Sequence, residues 1–127
     1  MSAEAVVQAA LAAALETLEL NGVYASAPAR ARAPYAVLAP VLGGDWGAKD
    51  RAGRELRIGA TLHDEGPSPA RLQALLGEAG VAIEAMPRDL DGWRVASCVL
   101  VRSRLAGAGP DRWSGSVDYR VRVLATG

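Results

Sequence analysis

Residues 91–123 read DGWRVASCVLVRSRLAGAGPDRWSGSVDYRVRV, and the fold turns on this stretch. Its second half is the clearer one. Trp113, Val117, Tyr119, Val121 and Val123 alternate with Ser116, Asp118, Arg120 and Arg122. A period of two marks a strand with one buried face, because successive side chains point to opposite sides. In the first half Trp93, Val95, Val99, Val101 and Leu105 share one face, with Ser97 and Ser103 between them. Arg94, Ala96, Cys98, Leu100, Arg102 and Arg104 occupy the other. The short Gly/Pro connection at 107–110 predicts an antiparallel hairpin between the two runs. Asp91-Gly92, just upstream, is the strongest hairpin-type turn signal in the chain.

Working outward, residues 45–63 read DWGAKDRAGRELRIGATLH. The second part alternates again: Leu56, Ile58, Ala60 and Leu62 face one way, and Glu55, Arg57, Thr61 and His63 the other. The first part is a polar loop with Trp46 and three basic residues, large for a connection into an ordinary strand. Tyr35 to Val41 is apolar and bounded by Pro34 and Pro40, so it reads as a buried strand. Residues 2–20 predict a helix capped by Ser2, with Val7, Leu11, Ala14, Leu15 and Leu18 on one stripe and Asn21-Gly22 as its stop. Ser68-Pro69 opens a second helix, with Leu72, Leu75, Leu76 and Ala79 on its apolar face and Gly80 at its end. Val81 to Ile83 then reads as a short strand or coil. The expected fold is α+β: an antiparallel sheet of about four strands, in the order α-β-β-α-β-β, with two helices packed on one face. One domain, 1–127, accounts for the length.

Composition narrows the function classes. Fourteen basic residues balance fourteen acidic ones, which argues against a dedicated nucleic-acid binder. No apolar run approaches the roughly 20 residues of a membrane helix, and Glu4 stands where a signal peptide would be basic. Cys98 is the single cysteine, so no intrachain disulfide or multi-cysteine metal cage is available, and a reducing cytoplasm is the expected folding compartment. No phosphate-binding glycine fingerprint and no calcium-loop ligand set is present. His63 neighbours Asp64 and Glu65, but consecutive strand residues diverge, so the trio reads as a solvated strand end. Cys98 has no base near it in sequence and reads as a structural thiol. No catalytic residue, metal site or cofactor is expected.

The arginines leave two readings open. Arg102, Arg104, Arg120 and Arg122 fall on one face of the predicted terminal hairpin. They form either a solvated face relieved by acidic neighbours, or a subunit contact or basic channel lining.

Taken together, the alanine-rich first helix, the segment VYASAPARARAPYAVLAP, the 45–63 stretch, the proline-started helix and the terminal hairpin resemble one known layout. It is that of the small tail completion, or tail terminator, proteins of long-tailed phages and gene transfer agents. Val23-Tyr24, Ala33-Pro34-Tyr35, Asp45-Trp46 with Gly53-Arg54-Glu55, and Tyr119-Arg120-Val121-Arg122 carry the resemblance. The resemblance implies a structural protein, not an enzyme. Such a protein forms a ring, usually a hexamer, that caps the head-proximal end of the tail tube, ends its polymerisation and joins it to the head. Its implied partners are further copies of itself, the tail tube protein and the head-tail connector or stopper. DNA only passes through the hole unread, and no membrane is involved. Assembly would take place in the bacterial cytoplasm before incorporation into the particle. Residues 43–54 would then be a contact arm, with Trp46 as apolar anchor and Asp45, Lys49, Arg51 and Arg54 around it, or else Trp46 simply folds back over the sheet edge. A head-tail adaptor or stopper ring is the nearest alternative, and a small cytoplasmic ligand-binding α+β domain a more distant one.

Overall fold

Two long neighbouring strands, β4 (Gly53–Glu65) and β7 (Arg112–Ala125), form the middle of the sheet in the computed structural model, which describes residues 1–127. They pair antiparallel along their whole length, from Gly53 opposite Leu124 to Glu65 opposite Arg112. Leu56, Ile58, Ala60 and Leu62 of β4 and Val117, Tyr119, Val121 and Val123 of β7 are all buried on one face. That face is covered by α1 (Ala3–Leu15) and α2 (Ala70–Glu84), which bury Val7, Leu11 and Leu15, and Leu72, Ala79 and Ile83. α2 packs tightly over Gly115, where a Cβ would run into the Leu76 side chain.

The sheet is larger and less regular than an antiparallel four-stranded one, and that expectation is corrected. Seven strands form a curled, mixed sheet that outweighs the helices. Its path runs β1 (Val23–Tyr24), β2 (Tyr35–Leu38), β4, β7, β6 (Trp93–Gly109), β5 (Asp89–Leu90), with β3 (Leu42–Asp45) pairing β4 beside β2. β1 pairs β2 in parallel, which makes the sheet mixed. The physical reason for the shortfall is strand length. Two-residue strands carry no periodicity, and β3 is half glycine, a composition that normally weakens a strand. Tyr35 to Val41 is also split: β2 ends at Leu38, and β3 resumes pairing with β4 beyond Pro40.

Irregularity in β6 re-phases the terminal hairpin. Pairing with β7 shifts between Val95 and Ser97, between Leu100 and Arg102, and between Gly107 and Gly109. Each bulge inserts a residue, bends the strand and flips the side-chain alternation beyond it. Cys98 and Leu100 therefore share the helix-side face with Val121 and Tyr119, while Val99 lies on the outer face beside Arg120. Strict alternation assigns these three the other way round.

The helices differ at their ends. α1 stops at Leu15, not near Leu20, and the Thr17 hydroxyl donates to the Ala14 carbonyl at 2.6 Å as the last turn tightens. α2 runs through Gly80 to Glu84, so residues 81–83 are helical. Burial of Ile83 extends the stripe of Leu72, Leu75 and Ala79, and that packing outweighs the helix-breaking tendency of one glycine.

Candidate assembly interface

The outer face of the β4–β7 pair is built from the residues that alternate with the core. Across the register, Glu55 lies opposite Arg122, Arg57 opposite Arg120, and Gly59 opposite Asp118. β6 extends the same rows with Ser97, Val99, Arg102 and Arg104. Five arginines (57, 102, 104, 120 and 122) thus meet two carboxylates, Glu55 and Asp118, on one surface. Arg122 Nε donates to Glu55 Oε1 at 2.8 Å, and Arg102 Nη2 to Asp118 Oδ2 at 3.2 Å. Arg120 stands 3.9 Å from the same Glu55 oxygen, and its Nε has no hydrogen-bond partner. Arg57 and Arg120 are direct cross-strand neighbours of like charge, an arrangement that costs stability unless something anionic lies between them.

Residues 42–53 form a hairpin continuous with the sheet. The Trp46 N–H donates to the Gly53 carbonyl at 3.0 Å, and Ala48 and Arg51 bridge at the tip. Gly47 is needed where the two arms meet, because a Cβ there would stand 3.0 Å from both the Arg51 carbonyl oxygen and the Gly53 nitrogen. Trp46 lies on the outer face with the Arg122 guanidinium 5.2 Å from its ring centroid, a cation–π arrangement. Lys49 and Arg51 stand exposed at the tip. Asp45 and Arg54 are opposite one another on the helix side, where Arg54 Nε donates to Glu4 Oε1 of α1 at 3.1 Å. The structure therefore joins Trp46 to the arginine face, and separates it from Asp45 and Arg54.

Large apolar side chains are exposed on both margins of the sheet: Val99, Leu100 and Val101 on β6, and Leu42 with Trp46 on the β3 hairpin. Sequence reading missed Leu42, and it left Arg57 out of the arginine cluster although alternation places it on the polar side. Joining Arg57 to Arg120 needs the β4–β7 register, which periodicity within each strand does not supply.

The remaining chemical candidates are structural. Asp64 is buried, not solvated: Arg71 of α2 donates to it through Nε at 2.9 Å and Nη2 at 2.5 Å, and the Glu65 amide at 2.8 Å. Those hydrogen bonds, led by Arg71, hold its carboxyl below the usual range. His63 stacks on Tyr35 with 4.9 Å between ring centroids, and burial lowers its pKa. Burial raises the Cys98 thiol, away from nucleophilic behaviour. Tyr119, buried in the core, donates outward to Oε2 of the exposed Glu84 at 3.0 Å, and burial raises its pKa most, with Glu84 adding to it. No group of three or more His, Cys, Asp or Glu is placed to hold a metal, and no helix is long and apolar enough to cross a membrane. A groove of about 670 Å³ between the helices is lined by Val6, Ala9, Ala13, Ala82, Met86 and Leu90, and no cluster of polar groups converges on it.

Residues 3–124 match the family described as Tail completion protein gp17. Among solved structures, a chain from the virion of native gene transfer agent (GTA) particle superposes with a TM-score of 0.64 at 19% identity, covering 98% of this chain and 96% of that one. No curated protein matches the sequence.

Proposed function

From the premise that this chain belongs to the tail completion protein gp17 family, we propose that it is a tail terminator: a ring of copies, six by the family resemblance, that closes the head-proximal end of a tail tube. The observation that carries the reading is the family match over nearly all of these residues, 3–124. The mechanism is geometric. The subunit, 1–127 as one domain, adds to the last tube ring, offers no further tube-like surface, and presents a head-binding face to the connector or stopper.

The role is structural and needs no catalysis or cofactor. DNA passes through the hole without being read, in keeping with a chain of zero net charge. Assembly takes place in the bacterial cytoplasm, and the subunit then stays in the particle. Closed rings require heterologous contacts, one edge of a subunit against a different edge of its neighbour. Trp46 with Arg122 on the outer face, and Lys49 and Arg51 at the hairpin tip, are the contact residues of the arm. Asp45 and Arg54 set its angle from the other face. Arg102, Arg104 and Arg120 extend the contact or line the channel.

Two experiments test this reading. Deletion of the gene gives tails of uncontrolled length if the protein is a terminator, and tailless heads with free tails of normal length if it acts as a stopper. Trp46→Ala weakens assembly, measured by light scattering and negative-stain imaging, while thermal stability of the isolated chain changes by under about 1 kcal/mol. A large loss of that stability with assembly intact would instead make Trp46 a packing residue.

A further inference from the structure

β6 and β3 leave two backbone edges open. Along β6 the edge away from β7 is paired only at Trp93 and Arg94, by β5, and through the Val95 amide to Arg88. From Ala96 to Gly109 it is free. β3 pairs only β4, because β1 stops at Ala36 and Val37 on β2. Unpaired edges invite strand addition, and proteins usually protect them with charge, proline or cover. These two instead carry most of the exposed large apolar side chains of the molecule: Val99 (45% exposed), Leu100 (48%) and Val101 (44%) on one, Leu42 (65%) and Trp46 (36%) on the other.

We infer that the β3 edge of one copy pairs with the β6 edge of the next, so that the sheet continues from subunit to subunit. This rests on the ring-forming reading above and specifies its joint. Three features of the chain fit. The first is polarity. β3 runs antiparallel to β4, β4 to β7, and β7 to β6. β3 and β6 are therefore antiparallel, and a second copy set in the same orientation meets β6 with an antiparallel strand.

The second is facing. Leu42 is opposite Arg57 and Val99 opposite Arg120, which places both on the outer face; Gly43 and Cys98, opposite Leu56 and Val121, are both on the helix side. Pairing Leu42 with Val99 therefore pairs Gly43 with Cys98 and Gly44 with Ser97, each couple sharing a face. Val41 then reaches Leu100 and the notch of about 390 Å³ that Leu76, Gly77, Val81 and Leu105 form beside the free edge. A strand edge with an apolar groove next to it is the arrangement that accepts an added strand.

The third is length. The shifts on either side of Ser97–Leu100 leave four regular residues, which in this register face Gly44, Gly43 and Leu42 of β3 and the adjoining Val41. In this register Pro40, which has no N–H, falls opposite the bulged Val101, and Asp45 falls opposite the bulged Ala96. Pairing stops at both ends where hydrogen bonding stops. Past Asp45 the incoming hairpin has to bend away, since β5 already occupies the edge, and the bulge at Ala96 is where the edge turns.

The test uses two single variants of the full chain, Leu42→Lys and Val99→Lys, alone and mixed, with mass read by light scattering and folding checked by thermal unfolding. Leu42→Ser and Val99→Thr serve as a second pair should either lysine variant fold poorly. Each variant alone assembles at least about tenfold more weakly than the unaltered protein. Mixed, they form two-subunit particles and nothing larger, because each supplies one intact edge of a single joint. If the unaltered protein assembles and each variant alone assembles equally well, or the mixture stays monomeric, the edge pairing is wrong and the ring reading stands. If the unaltered protein stays monomeric at high concentration and in the presence of purified tail tubes, both fall.

Discussion

The two faces of the β4–β7 pair come from the same alternation, yet only one is completed within the chain. On the helix side Leu56, Ile58, Val121 and Val123 are almost wholly shielded by α1 and α2. On the outer side five arginines share two carboxylates, Arg57 and Arg120 stand directly opposite, and Trp46 covers only the Arg122 end. A face made for solvent usually mixes its charges. This one instead concentrates one sign and borders two open, apolar strand edges. On the proposed reading, the contrast separates what holds the chain together from what it offers to neighbours, and substitutions on each face should fail in different assays.

The largest effect belongs to the covered face. Ile58→Ala removes a side chain that is 1% exposed from the centre of the core and should cost about 2–5 kcal/mol in chemical denaturation. Assembly of whatever remains folded should be unaltered. If Ile58→Ala instead disrupted assembly at unchanged stability, the division between the faces would be broken.

Next comes Asp64, at the far end of the same strand. Its carboxyl lies below the ordinary 3.8 in the folded chain because Arg71 hydrogen bonds to it, so that contribution is complete above 3.8 and is lost as pH falls through the folded value. His63 acts higher. Burial lowers its pKa from 6.5, so below that value the unfolded chain takes up a proton more readily and stability falls with pH. Asp64→Asn should cost about 1–3 kcal/mol at neutral pH and flatten the acid limb below pH 4, while the step near the histidine range remains. His63→Gln should remove that upper step alone. Unfolding curves collected across pH would sink the assignment if Asp64→Asn left the low-pH limb unchanged.

How much of this was legible in the sequence follows from what period and composition can encode. β4 and β7 announce themselves because each runs for more than a dozen residues with one buried face. The tail completion family was legible too, from the order of Val23-Tyr24, Ala33-Pro34-Tyr35 and the terminal hairpin. The strand count was not, since β1 and β5 have two residues each and β3 contains Gly43-Gly44. Nor was the facing of Cys98, Val99 and Leu100, because a bulge leaves no mark in an apolar run: ASCVLV keeps its composition whichever way it faces. Arg57 illustrates the same limit at the outer face. Its side of β4 was readable, but its position opposite Arg120 depends on strand pairing.

That Arg57–Arg120 pair gives the smallest and most specific test of the comparison. Directly opposed like charges on a sheet cost a few tenths of a kcal/mol to about 1 kcal/mol, so Arg57→Gln should leave the isolated chain as stable or slightly more so, raising Tm by roughly 1–4 °C. The isolated subunit would thus carry an arginine that works against its own stability. If the outer face meets an acidic surface on assembly, the same variant should assemble less well, and the loss should shrink as salt is raised, because exposed ion pairs are screened. Stability and assembly would then move in opposite directions for one substitution. Should Arg57→Gln gain stability and assemble normally at every salt concentration, the arginine face is a solvated surface, and the contacts between subunits lie at the strand edges alone.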